Sequence, residues 1–239
     1  MANSWMKAGL MVVKMGATLR NLIGLVLCGG KSSRMGTDKG MLVKDDGTWA
    51  EHMGGMLELL GLKTYVSINA LQFEKYGQFF SSTALIPDAV DIKGPLGGLL
   101  SAHQRFPKKD ILVLPCDMID LDTSLLRQLL SIYQQIVEAE VYVYGHTRYT
   151  EPLCAIYAAS GLRKLFSDYK SGNLPSFSVQ RATTSLHAVY LPIPENTNDF
   201  RNYNTPDCVA KWQEADNEPR IISQCPIDGS RYTHKAKGE

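Results

Sequence analysis

The feature that most constrains the fold is the run LIGLVL, Leu22 to Leu27, which passes directly into CGGKSSRMGTDKG, Cys28 to Gly40. Six mostly aliphatic residues without polar alternation describe a strand buried on both faces, as in a parallel sheet covered by helices on each side. The strand leaves through Gly29 and Gly30 into a loop carrying Lys31, Ser32, Ser33, Arg34, Asp38 and Lys39. Paired glycines and a basic, hydroxyl-rich loop at a buried strand end are how a chain brings backbone N–H groups against phosphate.

Spacing excludes two common phosphate motifs. A P-loop needs a glycine five positions before Gly30, where Leu25 stands, and the dinucleotide fingerprint separates its first two glycines, whereas Gly29 and Gly30 are adjacent. The pattern present is G-G-x-x-x-R-x-G-x-D-K. Arg34 can grip an oxygen pair of a triphosphate in fork geometry, while Lys39 acts as a mobile point charge.

Downstream, helical spacing over Trp49 to Leu60 is followed by strands at Thr64–Ile68 and Ala84–Ile86, with an irregular crossover at Phe73–Phe80 between them. A helix over Leu96–Phe106, a strand at Asp110–Leu114 and a helix over Leu125–Val137 come next. This alternation predicts a three-layer α/β fold with a mostly parallel sheet and right-handed crossovers. Strands at Val141–Tyr144 and Leu153–Tyr157 are separated only by a polar turn, Gly145 to Glu151, too short for a crossover helix, so the C-terminal half makes an antiparallel excursion. Short helices at Gly161–Phe166 and Phe177–Ala182, a strand at Leu186–Leu191 and a helix at Pro206–Trp212, capped by Thr205, complete the pattern. The expected organisation is an extension at 1–20, one domain at 21–215 and a tail at 216–239.

Three positions fall at the carboxyl ends of predicted strands, where open parallel sheets place their ligands. Asp117 is a natural Mg²⁺ ligand there, because Mg²⁺ takes one or two protein carboxylates plus phosphate oxygens. Asn69 can read a base edge or a ribose hydroxyl, and Asp88 can accept from either or from turn amides. Gly94 to Gly98 (GPLGG) exposes backbone suited to a purine face, or is simply a helix entry. The histidines lack metal-ligand spacing; His52 and His103 read as surface or core-edge groups on helices.

Composition narrows the class. A net charge of +1 excludes a broad nucleic-acid footprint, so phosphate recognition is local. Five dispersed cysteines without C-x-x-C spacing fit a reducing cytoplasm rather than a disulfide framework or zinc site. No apolar run is long enough to cross a bilayer, and the patch at Ala8–Val13 is cut short by Lys14 without a cleavage site.

Together, Leu27–Lys39 (LCGGKSSRMGTDK), Gly94–Gly98, Pro115–Asp117 (PCD) and Asn204–Asp207 (NTPD) resemble the molybdenum cofactor guanylyltransferase family of Rossmann-like nucleotidyltransferases, over about Leu22 to Gln213. The resemblance implies Mg²⁺-dependent transfer of GMP from GTP to the terminal phosphate of molybdopterin, with release of pyrophosphate. It places Leu27, Cys28, Gly29, Gly30 and Lys39 at GTP, with Asn69, Asp88, Gly94 and Gly97 around the guanosine. Arg34, Lys39 and Asp117 would act catalytically, Asp117 also as the metal ligand. Asn202 and Asn204 match the N-x-N-T-P element at the pterin-phosphate end. Cys28 stands where relatives usually have Ala and is assigned no chemistry. Neither nucleic acid nor membrane is an expected partner; transient contact with other cofactor-biosynthesis proteins or recipient enzymes is. The competing readings are a cytidylyl or sugar-phosphate transferase, and a nucleotide-binding module without catalysis; retention of Arg34, Lys39 and Asp117 together disfavours the last.

Overall fold

The computed structural model describes residue 19 and residues 21–29, 37–174, 176–195 and 199–216. The extension at 1–20 and the tail at 216–239 therefore lie almost wholly outside the described residues. In chain order, β1 (Leu22–Leu27) is followed by a 3₁₀ turn at Lys39–Met41 and a hairpin of β2 (Val43–Lys44) and β3 (Gly47–Thr48). Then come α1 (Trp49–Glu58), β4 (Lys63–Ile68), a 3₁₀ turn at Ala70–Gln72, α2 (Phe73–Tyr76), β5 (Leu85–Pro87), α3 (Pro95–Arg105), β6 (Asp110–Pro115) and α4 (Thr123–Gln135). The last part comprises β7 (Val141–His146), β8 (Tyr149–Tyr157), α5 (Ala159–Lys170), α6 (Val179–Thr184), β9 (Ala188–Leu191) and α7 (Pro206–Asp216).

Seven strands form one sheet in the order β5-β4-β1-β6-β8-β7-β9. β1 pairs in parallel with β4 and β6, β4 with β5, and β7 with β9; only β8 runs against its neighbours. β1 is buried at every position, as its unbroken apolar run requires. One core packs α1, α2, α4 and α7 on one face of the sheet; a second packs α3, α5 and α6 on the other. Each fully buried aliphatic side chain of β1 or β6, such as Leu25 or Leu112, contributes roughly 1.5–3 kcal/mol. His103, expected at the surface or core edge, is buried in α3 with its ring edge-on to Phe166. The second-face core simply extends around it.

One local expectation changes, and two local features are added. The polar stretch after Tyr144 is not a seven-residue turn: β7 and β8 continue through a register shift near Gly145 to a tip at residues 147–148. Thr150 and Glu151 of this extension are buried although polar, while residues 146–148 at the tip are exposed. The β2–β3 hairpin carries no apolar pattern; it turns at Asp45, which takes a left-handed φ of 51° that Asp tolerates. Gly54 and Gly55 do not disturb α1, whose start is closed by a reciprocal cap. Glu51 N–H donates to Thr48 Oγ1 at 3.2 Å, and the Glu51 carboxylate accepts from Thr48 N–H at 2.8 Å.

Asp110 ties the layers together at the start of β6. It accepts from Tyr133 Oη of α4 at 2.6 Å and from Ala159 N–H at the start of α5 at 2.7 Å, one partner on each side of the sheet. Asp110→Ala would orphan both donors. It should cost about 2–3 kcal/mol and lower Tm by roughly 5–10 °C in calorimetry.

Candidate active site

The parallel order of β5, β4, β1 and β6 brings their carboxyl ends to one rim. Pairing continues just beyond the strands: Cys28 and Gly29 N–H both donate to Ser67 O (2.9 and 3.0 Å), and Cys116 N–H donates to Leu27 O (3.1 Å). Asp88 N–H likewise donates to Ile68 O at 2.9 Å. Hence the first two amides of the glycine loop are spent inside the sheet, contrary to the expectation that they face phosphate. Gly30 and Arg34, with Lys31, Ser32 and Ser33, lie outside the described residues.

The centre of the rim is Lys39. Its Nζ donates to Asp117 Oδ2 at 2.7 Å and to Asn204 Oδ1 at 2.6 Å, joining the glycine loop, the end of β6 and the segment before α7. The Lys39 and Asp117 side chains are only 13 % and 12 % exposed, so their attraction is less screened than that of a surface pair. Lys39 is therefore pinned rather than mobile. The segment carrying Asn204 is held independently: Tyr203 N–H donates to Asp117 O (3.3 Å), its hydroxyl to the Asp120 carboxylate, and its ring meets Trp49 and Trp212. Thr205 Oγ1 accepts from Cys208 N–H at 3.3 Å, the cap expected for α7. Asn202, by contrast, turns its amide to the Phe200 carbonyl of its own loop, 3.2 Å away.

A second group gathers on the β4–β5 side. A side chain built on Gly29 would meet Asn69 N at 3.7 Å and Asp88 Oδ2 at 3.8 Å, so these three expected nucleotide contacts are neighbours. Asn69 Oδ1 caps the following turn, accepting from Leu71 N–H at 2.9 Å. Partial burial pushes the Asp88 carboxyl up from its ordinary value. Leu27 is buried at the end of β1. Gly94 is exposed at the start of α3 with a φ of 91°. The space beside Gly97 is not open to a purine: a Cβ there would stand 2.0 Å from the Ile92 carbonyl oxygen.

Sequence reasoning missed Gln72 and Tyr76. Both donate to Asp38, Gln72 Nε2 at 2.7 Å and Tyr76 Oη at 2.9 Å, beneath the turn that carries Lys39. The available signal was the capping-box spacing from Asn69 to Gln72. Cys28 and Cys116 lie side by side under the same turn, and that contact together with burial pushes the Cys116 thiol well above its ordinary range. It is a protonated packing group at neutral pH, not a nucleophile.

The donor set suits a hard cation with few protein ligands. Among the described residues, Asp117 Oδ1 accepts no hydrogen bond, and no group of three or more His, Cys, Asp or Glu side chains could cage a metal. One carboxylate beside the glycine loop fits Mg²⁺, which completes its shell with phosphate oxygens and water.

The model of a family described as the MobA-like NTP transferase domain matches residues 24–182. The chain is 30 % identical over 193 residues to a molybdenum cofactor guanylyltransferase of Pseudomonas syringae pv. tomato, covering 80 % of this chain and 93 % of that protein. It is 27 % identical over 188 residues to a molybdenum cofactor biosynthesis bifunctional protein of Synechocystis, and there it spans about half the relative's length, 52 %. The structure of molybdopterin-guanine dinucleotide biosynthesis protein A from Archaeoglobus fulgidus superposes with a TM-score of 0.65 at 23 % identity, over 80 % of this chain and 96 % of that one, a likeness of fold.

Gly97→Ala should force the Ile92 carbonyl to move. We expect a loss of about 1–3 kcal/mol, seen as a Tm lower by roughly 3–10 °C. An unchanged Tm would show that residues 92–94 yield freely.

Proposed function

Since the chain belongs to the MobA-like NTP transferase family, we propose that it transfers GMP from GTP to the terminal phosphate of molybdopterin or its metal-loaded form. The observation that carries this reading is the Lys39 ammonium held between Asp117 and Asn204. An ammonium has three N–H donors. Among the described residues two are taken by protein oxygens, and the third would meet a phosphate oxygen of a nucleotide lying along the rim. Gly29, Asn69 and Asp88 form the nucleoside end of that path, and Asn204 lies at the acceptor end.

An oxygen of the acceptor's terminal phosphate attacks the α-phosphorus, and the bond to the pyrophosphate oxygen breaks in line. This chain contributes position and charge rather than a covalent intermediate. Lys39 steadies the negative oxygens, Asn204 fixes the ammonium, and Arg34 adds a second cation. Asp117 would hold Mg²⁺ through its available oxygen; when bound, the ion supplies charge neutralisation along the triphosphate. Among the described residues no helix is long and apolar enough to cross a membrane; the proposed substrates are soluble ones of the cytoplasm.

Thermal shift with each of the four NTPs, with and without Mg²⁺, tests the base and the metal together. At 100 times its Kd, GTP should add about 2.7 kcal/mol, a rise of roughly 5–10 °C, and the shift should need Mg²⁺. A preference for CTP or UTP would overturn the assignment of guanine; GTP binding without pyrophosphate release when molybdopterin is supplied would indicate a binding module. Separately, Lys39→Ala and Asp117→Ala should each lower kcat by about 10²–10³-fold. Near-normal turnover in either variant would remove that residue from the mechanism.

A further inference from the structure

Gln72 is not itself among the residues expected at the substrates, yet it is 9 % exposed and engages three separate parts of the rim. Its Nε2 donates to Cys28 O at 3.1 Å and to Asp38 Oδ2 at 2.7 Å, and its Oε1 accepts from Asn69 N–H at 2.8 Å. Only one amide orientation satisfies this set, because two acceptors face the nitrogen and a donor faces the oxygen. A single side-chain nitrogen therefore closes the glycine loop, binding the residue before Gly29 and the residue before Lys39. The same carboxamide fixes the backbone of Asn69.

Asp38 transmits this to Lys39. Its Oδ1 accepts from Gly40 N–H at 3.2 Å and from Tyr76 Oη at 2.9 Å. Burial, then the neighbouring Cys28 and Cys116 thiols and Asp38, push the Tyr76 phenol far up, so it remains a donor. The turn has no slack on this side: a Cβ on Gly40 would stand 2.2 Å from Tyr76 Oη. With Asp38 and Gly40 both held, the origin of the Lys39 side chain is set, and with it the reach of Nζ to Asp117 and Asn204.

We propose that Gln72 is a positioning residue for nucleotidyl transfer: by hydrogen-bonding Asp38, Cys28 and Asn69 at once, it sets the Lys39 ammonium against the substrate phosphates. This rests on the functional reading above, which supplies the reaction measured.

Gln72→Glu gives a readout that a merely structural role does not. It places a carboxyl within hydrogen-bond distance of the Asp38 carboxylate. Two such groups share one proton at low pH, and the second ionisation is strongly raised. While the proton is shared, the bond to Asp38 survives. As pH rises through the raised pKa both groups ionise and repel, and the turn carrying Lys39 shifts. The kcat/KM of Gln72→Glu relative to the unaltered chain should therefore fall as pH rises through that pKa, by up to about tenfold per pH unit. The relative affinity for GTP, measured by calorimetry on the full chain, should weaken over the same range. Gln72→Met, which cannot titrate, should show a pH-independent loss of about 10–100-fold.

Near-UV circular dichroism at each pH follows folding. A Gln72→Glu ratio that stays flat with pH overturns the proposal, as does a Gln72→Met variant with unaltered kcat and KM. Loss of Gln72→Glu activity that only tracks unfolding also overturns it. An unaltered chain that neither binds GTP nor transfers its GMP overturns the functional reading and this proposal together; activity of that chain with a flat ratio overturns the role of Gln72 alone.

Discussion

An ammonium group largely removed from water must recover its hydration from fixed oxygens, and Lys39 recovers it from Asp117 and Asn204. Those oxygens come from distant parts of the chain, so the contact exists only when β1, β6 and the segment before α7 are all in place. In return it joins three loops at one rim, adding to the bonds from Tyr203 to Asp117 and Asp120 that already tie two of them together. Removing any one of the three partners leaves a desolvated polar group behind, which makes the cluster a unit rather than three separate contacts.

The sheet makes this possible. Four parallel strands end on the same side, and continued pairing of Cys28, Gly29, Asp88 and Cys116 with neighbouring strands fixes the start of every rim loop. The reversal of β8 separates this half from β7 and β9, while cores on both faces hold the strands between them. The rigid part lies beneath the site, and the chemistry-bearing side chains stand on the loops above it.

Beneath Lys39 the packing is unusually polar for a protein interior. Asp38, Gln72 and Tyr76 satisfy one another there, with the Cys28 and Cys116 side chains alongside. A network of this sort costs desolvation that an apolar core would not, and what it supplies is a single conformation of the turn. A surface that must neutralise a triphosphate needs its cation in one place, and the network confines it.

Much of the architecture was legible in the amino-acid sequence because burial imposes local patterns. The unbroken run at Leu22–Leu27 has no soluble alternative to a doubly covered strand, and the alternation of strands and helices demanded a mostly parallel sheet. Asp117, Asn69 and Asp88 could be placed on one rim because each closes a strand pointing the same way. The hairpin at Val43–Thr48 and the true length of β7 and β8 were not legible, since the added residues are polar and leave no apolar period, even where Thr150 and Glu151 are buried. Nor was the pairing of Lys39 with Asn204, which lies far along the chain, or the part played by Gln72, a residue type with no fixed periodicity. The sequence by itself determined the strand, the glycine exit and the kinds of charge available at the rim. Which oxygens hold the ammonium, and that the amides of Cys28 and Gly29 are spent inside the sheet, only the tertiary structure decided. Hydrogen bonds are directional and form between whichever groups folding brings within about 3 Å, which no local pattern encodes.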